Sequence, residues 1–183
     1  MKNIVITGAL GYIGTELCKL YSGFSWKYNI VAIDNRFVSE RVNELKRRKI
    51  KFIQADILNP AEINEHINNA HIVHHLAGIT DVAYVKKDAD KEKDLLTEKV
   101  AVEGTANILE SMNADALIVF PSTHVVFEGL KSQKKDIDEN EKTSTFLSYS
   151  SSKVKNEQQI ISSGKKHIIF RLGSVYGFST DTM

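Results

Sequence analysis

A single cysteine, Cys18, stands in 183 residues. That excludes a disulfide framework and a four-cysteine metal site, and it suits a reducing compartment. Prolines number only two, so no proline-rich linker divides the chain. No apolar run approaches the ~20 residues that cross a bilayer. Met1-Lys2-Asn3 passes directly into Ile4-Val5-Ile6, too short a lead for a signal peptide. Neither sign of charge prevails: 24 Lys+Arg against 23 Asp+Glu leave +1. Nucleic acid and anionic membrane are therefore not expected partners. With 42% hydrophobic and 26% charged residues, the composition fits one soluble, cytoplasmic, globular unit.

Short apolar, β-branched runs recur along the chain at Ile4–Ile6, Ile30–Ile33, Lys51–Ile53, His71–Leu76, Ala116–Phe120 and His167–Phe170. Most are continuous rather than alternating, as in strands buried on both faces of a parallel sheet. Between them lie helical stripes: Tyr12, Ile13, Leu17 and Leu20; Ile63, Ile67 and Ala70; Val100, Gly104, Ile108 and Met112; Val154, Ile160 and Ile161. Asn59-Pro60 with Glu62 behind it reads as a helix start. Strand and helix in alternation imply right-handed crossovers and a doubly wound α/β (Rossmann) parallel sheet with helices on both faces. Two charge-dense stretches, Lys86–Lys93 and Lys131–Thr145, read as solvated loop or helix surface.

Gly8-Ala9-Leu10-Gly11-Tyr12-Ile13-Gly14 follows the first strand and opens the first helix. A pyrophosphate needs close backbone, N–H groups aimed at it and the positive end of a helix dipole. Gly8 permits the tight turn, Gly11 clears the phosphate's path and Gly14 permits close helix packing. The spacing is G-x-x-G-x-x-G, one residue longer in its first gap than G-x-G-x-x-G. Asp34 ends the second strand, where a carboxylate accepts the hydroxyls of an adenosine ribose and repels a 2′-phosphate. NAD is thus expected over NADP, with Arg36 as a counter-signal. Asp56, after the third strand, suits either an adenine amino group or the capping of a turn.

Tyr149 and Lys153 stand four residues apart, on one helix face. A fixed positive charge nearby favours the phenolate of a side chain whose ordinary pKa is ~10. Such a phenolate takes a proton from a substrate hydroxyl while hydride leaves the same carbon for a nicotinamide. Ser122-Thr123 ends a buried strand, on the side where open α/β sheets bind ligands. The adjacent pair His74-His75 is not read as a metal site, because successive strand residues face opposite ways. Cys18 reads as a small buried packing residue.

In this order the pieces resemble the extended short-chain dehydrogenase/reductase family, the NAD-dependent nucleotide-sugar epimerases and dehydratases. His75-Leu76-Ala77-Gly78 is similar to the family's H-L-A-[AG], Val102–Asn107 to N-V-x-G-T-x-N, Ser122–Phe127 to S-[ST]-x-x-V-[YF], and Arg171–Gly177 to R-x-x-N-V-Y-G. The resemblance implies a catalytic trio of Thr123, Tyr149 and Lys153, with Tyr149 as acid and base. It assigns to NAD Gly8, Gly11, Tyr12, Ile13, Gly14, Asp34, Asn35, Asp56, Ile57, Leu76, Ala77 and Gly78, together with Tyr149 and Lys153. Thr123 and Ser174 would meet the substrate, a nucleotide sugar such as a UDP-hexose. His124-Val125 replaces the acid pair of the dehydratases, which leaves a UDP-glucose 4-epimerase-like activity, with dehydratase or keto-reductase as neighbouring options. The family's usual four-helix contact implies a homodimer.

Three departures stand against this pattern. Ala101 and Ser174 replace family asparagines, and the family continues well beyond the point where this sequence stops, at Met183. The last sheet strand and most of the smaller substrate domain are therefore expected to be missing from residues 1–183, which form the NAD-binding domain. A non-catalytic NAD-binding module, or a truncated piece without turnover, is the alternative expectation.

Overall fold

A computed structural model of the chain describes residues 1–80, 91–130 and 136–177. Six parallel strands form one sheet in the order β3-β2-β1-β4-β5-β6. They are β1 (Lys2–Thr7), β2 (Tyr28–Asp34), β3 (Lys51–Gln54), β4 (Ile72–His75), β5 (Leu117–Thr123) and β6 (Lys166–Leu172). The helices are α1 (Tyr12–Ser22), α2 (Ser39–Arg47), α3 (Pro60–Asn68), α4 (Lys91–Ser111) and α5 (Ser148–Ser162). A 3-10 turn, His124–Phe127, follows β5. All six expected strands are present and the doubly wound topology holds.

Alternation along the central strands sorts the core into two layers. Ile4 and Ile6 face α1 and α2 and pack with Cys18, Ala32, Val42 and Leu45. Val5 points the other way and joins Val73, Ile118 and Phe120 under Ile63, Ile67, Ile108 and Ile160 of α3, α4 and α5. Burying such a side chain stabilises the fold by roughly 1.5–3 kcal/mol. Cys18 is fully enclosed, and burial pushes its thiol up to about 12.

Two apolar stripes differ from expectation. On α1 the buried residues are Gly14, Thr15 and Cys18, while Tyr12, Ile13 and Leu20 are exposed. Small residues face inward there because the helix start lies against the turn that precedes it. On α5, Ile160 is buried but Ile161 is exposed. The last strand also departs from burial on both faces: Ile168 and Phe170 of β6 are 42% and 51% exposed. β6 is an edge strand, and α1 and α2 cover the other end of the sheet. Helix α2 was not expected, since only Val42 and Leu45 mark its inner face amid charged neighbours.

Residues 86–90 and 131–135 of the two charge-dense stretches lie outside the described residues. Lys91–Lys93 open α4. Among the described residues no helix is long and apolar enough to cross a membrane.

Candidate active site

The carboxyl ends of all six strands open on one cleft of about 1110 Å³. It lies over the point between β1 and β4 where the strand order reverses, the usual ligand crevice of an open α/β sheet. Every residue expected to hold NAD or carry the chemistry lines it, from Gly8, Gly11, Tyr12, Ile13 and Gly14 through Asp34, Asn35, Asp56, Ile57, Leu76, Ala77 and Gly78 to Thr123, Tyr149 and Lys153. Ser174 does not. It is exposed, although its neighbours Gly173 and Val175 line the cleft.

The glycine turn is a cradle that side chains would fill. Gly8 has φ +65°, and a Cβ on it would lie 2.7 Å from the Ala77 nitrogen. A Cβ on Gly14 would lie 2.7 Å from Ala9 Cα, so this glycine packs α1 onto the turn itself. Gly11 caps α1 in extended conformation without a side-chain hydrogen bond. The first N–H groups of the helix therefore face the cleft with no capping side chain in front of them. The far wall is pinned by Thr7, whose Oγ1 accepts from the Ala77 N–H at 3.2 Å and shares a 3.0 Å hydrogen bond with His75 Nδ1.

Asp34 is 5% exposed. Its Oδ2 accepts from the Leu10 N–H at 3.0 Å, and its Oδ1 accepts from the Arg36 N–H and Nε at 3.0 and 3.2 Å. The Arg36 side chain, 58% exposed, thus shields the carboxylate from the solvent side. Arg41, which the sequence reading passed over, donates to the Leu10 carbonyl and adds a second guanidinium to this wall. Asp56 caps a turn and also lines the cleft. Its Oδ1 accepts from the Leu58 N–H at 2.9 Å and caps the turn, while its Oδ2 accepts from Asn35 Nδ2 at 3.3 Å in the cleft wall. Asn107 donates to the Ile57 carbonyl at 2.9 Å and fixes the same turn.

At the other end of the cleft, Lys153 Nζ donates to the Pro121 carbonyl at 2.9 Å, lies 4.5 Å from the Phe120 ring centroid and 5.9 Å from that of Tyr149. Burial pulls its pKa down to about 8, against the upward pull of the Glu157 carboxylate. Thr123 is 7% exposed, and its Oγ1 accepts from the Val125 N–H at 3.2 Å, capping the 3-10 turn. That arrangement leaves its own proton to donate into the cleft.

The start of α5 is held by Glu128, whose Oε1 accepts from the Phe146 and Leu147 N–H groups at 3.0 and 2.8 Å and from the Ser150 hydroxyl. Tyr149 sits inside that clasp. Sequence reasoning missed Glu128, because a carboxylate in a loop 21 positions before Tyr149 carries no spacing signal.

His74 and His75 face opposite ways, as strand geometry requires. His74 Nε2 shares a 2.8 Å hydrogen bond with the Tyr21 hydroxyl on the α1 side, and His75 Nε2 shares one of 2.9 Å with Thr105 of α4. Burial holds both rings neutral, with pKa values pulled down to about 4 and about 3.

Short-chain dehydrogenase/reductase family 42E member 1 of Danio rerio is 31% identical over 139 residues, which are 74% of this chain and 33% of that protein. The 3 beta-hydroxysteroid dehydrogenase type 7 of Rattus norvegicus is 24% identical over 123 residues, 65% of this chain and 35% of its own length. Among solved structures, the UDP-Glc/GlcNAc 4-epimerase of Campylobacter jejuni superposes with TM-score 0.79 at 18% identity, over 93% of this chain and 53% of that one. The UDP-glucuronic acid 4-epimerase of Bacillus cereus, solved in complex with NAD, gives TM-score 0.79 at 21% identity, over 96% and 57%. The chain spans about a third of the curated relatives and about half of these solved chains. The family described as RmlD substrate binding domain matches residues 1–182. With that match over nearly its whole length, and with the fold and cleft described above, the chain belongs to the RmlD substrate-binding domain family.

Proposed function

We propose that the chain binds NAD along the cleft and carries the proton-transfer machinery of a nucleotide-sugar 4-epimerase-like enzyme acting on a UDP-hexose. The observation that carries this reading is the meeting of the glycine cradle, Asp34, Thr123, Tyr149 and Lys153 in one cleft. Gly8, Gly11, Tyr12, Ile13 and Gly14 would hold the diphosphate, since a Cβ at Gly8 or Gly14 would collide with backbone. Asp34 would receive the adenosine ribose, with the exposed Arg36 guanidinium yielding to it. Asn35, Asp56 and Ile57 would flank the adenine, and Leu76, Ala77 and Gly78 would run beside the rest of the cofactor. When bound, NAD supplies reversible hydride acceptance.

The remaining steps belong to the protein's own groups. Thr123 donates a hydrogen bond from its hydroxyl to the substrate oxygen and keeps its proton. The Tyr149 hydroxyl holds and returns the proton of that same oxygen, and the Lys153 charge favours its phenolate. Ser174 would meet the substrate from outside the cleft lining. A homodimer across α4 and α5, which expose Leu95 and Ile161, belongs to the same reading.

Tyr149→Phe is expected to keep NAD and to abolish interconversion of UDP-hexoses in the protein that carries the whole substrate site. Undiminished turnover would remove Tyr149 from the mechanism. Mass analysis of the small molecule released from purified protein identifies the cofactor directly. The hydroxysteroid dehydrogenase among the relatives supports a second reading, net oxidation of a ring alcohol. The two are separated by whether reduced cofactor accumulates or is consumed again within the cycle.

A further inference from the structure

Helix α5 carries a third group on the face that bears Tyr149 and Lys153. Glu157 follows Lys153 by four residues, one turn on, which makes the two neighbours. It is 5% exposed and is gripped from two strands. The Ser122 hydroxyl of β5 donates to its Oε1. Arg171 of β6 donates from Nε to the same oxygen at 3.1 Å and from Nη2 to Oε2 at 2.7 Å. Arg171 is itself held, donating from Nη1 to the Glu139 carbonyl at 3.0 Å and stacking 5.2 Å from the Phe127 ring centroid. Lys153 meanwhile donates to Pro121, the residue before Ser122. One turn of α5 thus grips two consecutive residues of β5, immediately before Thr123.

We infer that Glu157 is a positioning residue that keeps Lys153 in its charged form and fixes α5 against the end of β5. The inference rests on the reading of Tyr149 and Lys153 as a proton-transfer pair. A buried ammonium loses hydration and tends to shed its proton unless an opposite charge stands close by. Among the described residues, the charged and titratable groups around Lys153 are few. Tyr149 and Glu157 come from α5, the neutral His75 from β4, and Arg171 from β6 through Glu157. β5 offers a carbonyl and hydroxyls only. Glu128, next to the 3-10 turn, is committed to the start of α5, and Glu98 of α4 pairs with Lys155. Glu157 is therefore the anion that offsets the burial of Lys153, and Arg171 limits how much of that charge Lys153 receives.

The test reads the Lys153 charge directly, on the full chain without cofactor. Trace acetic anhydride labels amines in proportion to their unprotonated fraction, and mass spectrometry of the Lys153 peptide across a pH series gives the midpoint. Glu157→Gln is expected to lower that midpoint by about one pH unit, and Glu157→Asp to restore most of it. Arg171→Met is expected to raise it, since Glu157 then faces Lys153 unshared. A clamp with no electrostatic role would move both variants the same way or neither. An unmoved midpoint in folded Glu157→Gln overturns the inference. Should that variant fail to fold, an unmoved or lowered midpoint in Arg171→Met overturns it instead. A parallel NAD titration of the native chain separates this result from the functional reading: absent NAD binding with a shifted midpoint sinks the reading and leaves the charge relation standing.

Discussion

The sheet is covered twice at one end and once at the other. Around β1 and β2 both faces are packed, by α1 and α2 on one side and by α3 and α4 on the other. Around β5 and β6, among the described residues, helices pack on the α4–α5 face, while Ile168 and Phe170 stay exposed on the other. Register pairs Val119 with Ile168 and Pro121 with Phe170, so the bare face of β6 continues the α1–α2 side of the sheet past the point where those helices end. The two ends also build the cleft differently. The twice-covered end presents the glycine turn, set by close backbone packing, beside Asp34 and Asp56, whose carboxylates accept from backbone N–H groups of adjoining turns. At the once-covered end the cleft is built from side chains on α5 and β5, and these need Glu128, Glu157 and Arg171 to aim them. Close packing sets the glycine turn, whereas the side chains on α5 and β5 are aimed by ion pairs and caps that reach across elements.

The widest gap between the two ends is expected in core truncations. Ile6→Ala, in the doubly packed region and fully buried, should cost roughly 2–5 kcal/mol in unfolding free energy. Ile168→Ala on β6 should stay within about 0.5 kcal/mol. Denaturant unfolding of both variants measures the contrast, and equal losses would mean that the exposed face of β6 is covered in solution.

Next in size is the glycine cradle. Gly14→Ala places a methyl group against the backbone of Ala9, and overpacking of this kind costs roughly 1–3 kcal/mol. The accompanying shift of α1 should remove NAD binding, measured by calorimetry, while the packing of α5 on β5 is unaffected. Intact NAD affinity in that variant would show that the turn gives way without disturbing the cleft.

How much of this was legible in the sequence follows the same division. The strands announce themselves because parallel sheets bury both faces, and the glycine turn because its constraint is local in the chain. Tyr149 and Lys153 are legible because helical spacing puts them on one face. Burial on α1 was misplaced: the apolar pattern points to Tyr12, Ile13 and Leu20, but close approach to the turn favours Gly14, Thr15 and Cys18. The exposure of Ile168 and Phe170 depends on which helices overlie them, a tertiary fact that no run of residues encodes. Helical spacing places Glu157 beside Lys153, but the hydrogen bonds that fix Glu128, Glu157 and Arg171 join residues 14 to 35 positions apart in the chain, which no spacing rule reaches. Ser174 stands where its motif places it, yet it is exposed and does not line the cleft.

The smallest effect expected lies in the two histidines, and it sharpens the comparison because one ring faces each layer. In the fold both are neutral, with pKa values of about 4 for His74 and about 3 for His75, below the ordinary 6.5. Above pH 6.5 both folded and unfolded chains carry neutral rings, and nothing is lost. As pH falls below 6.5 the unfolded chain takes up protons that the fold refuses, so stability drops until the folded rings themselves titrate. At pH 5.5 that difference amounts to about 1 kcal/mol per ring. His74→Gln should therefore remove about 1 kcal/mol of the loss between pH 7.5 and 5.5, read from urea midpoints at the two pH values. An equally steep acid loss in that variant would mean that the folded His74 ring takes up its proton as readily as the unfolded one, with the Tyr21 hydroxyl oxygen accepting a hydrogen bond from the ring N–H.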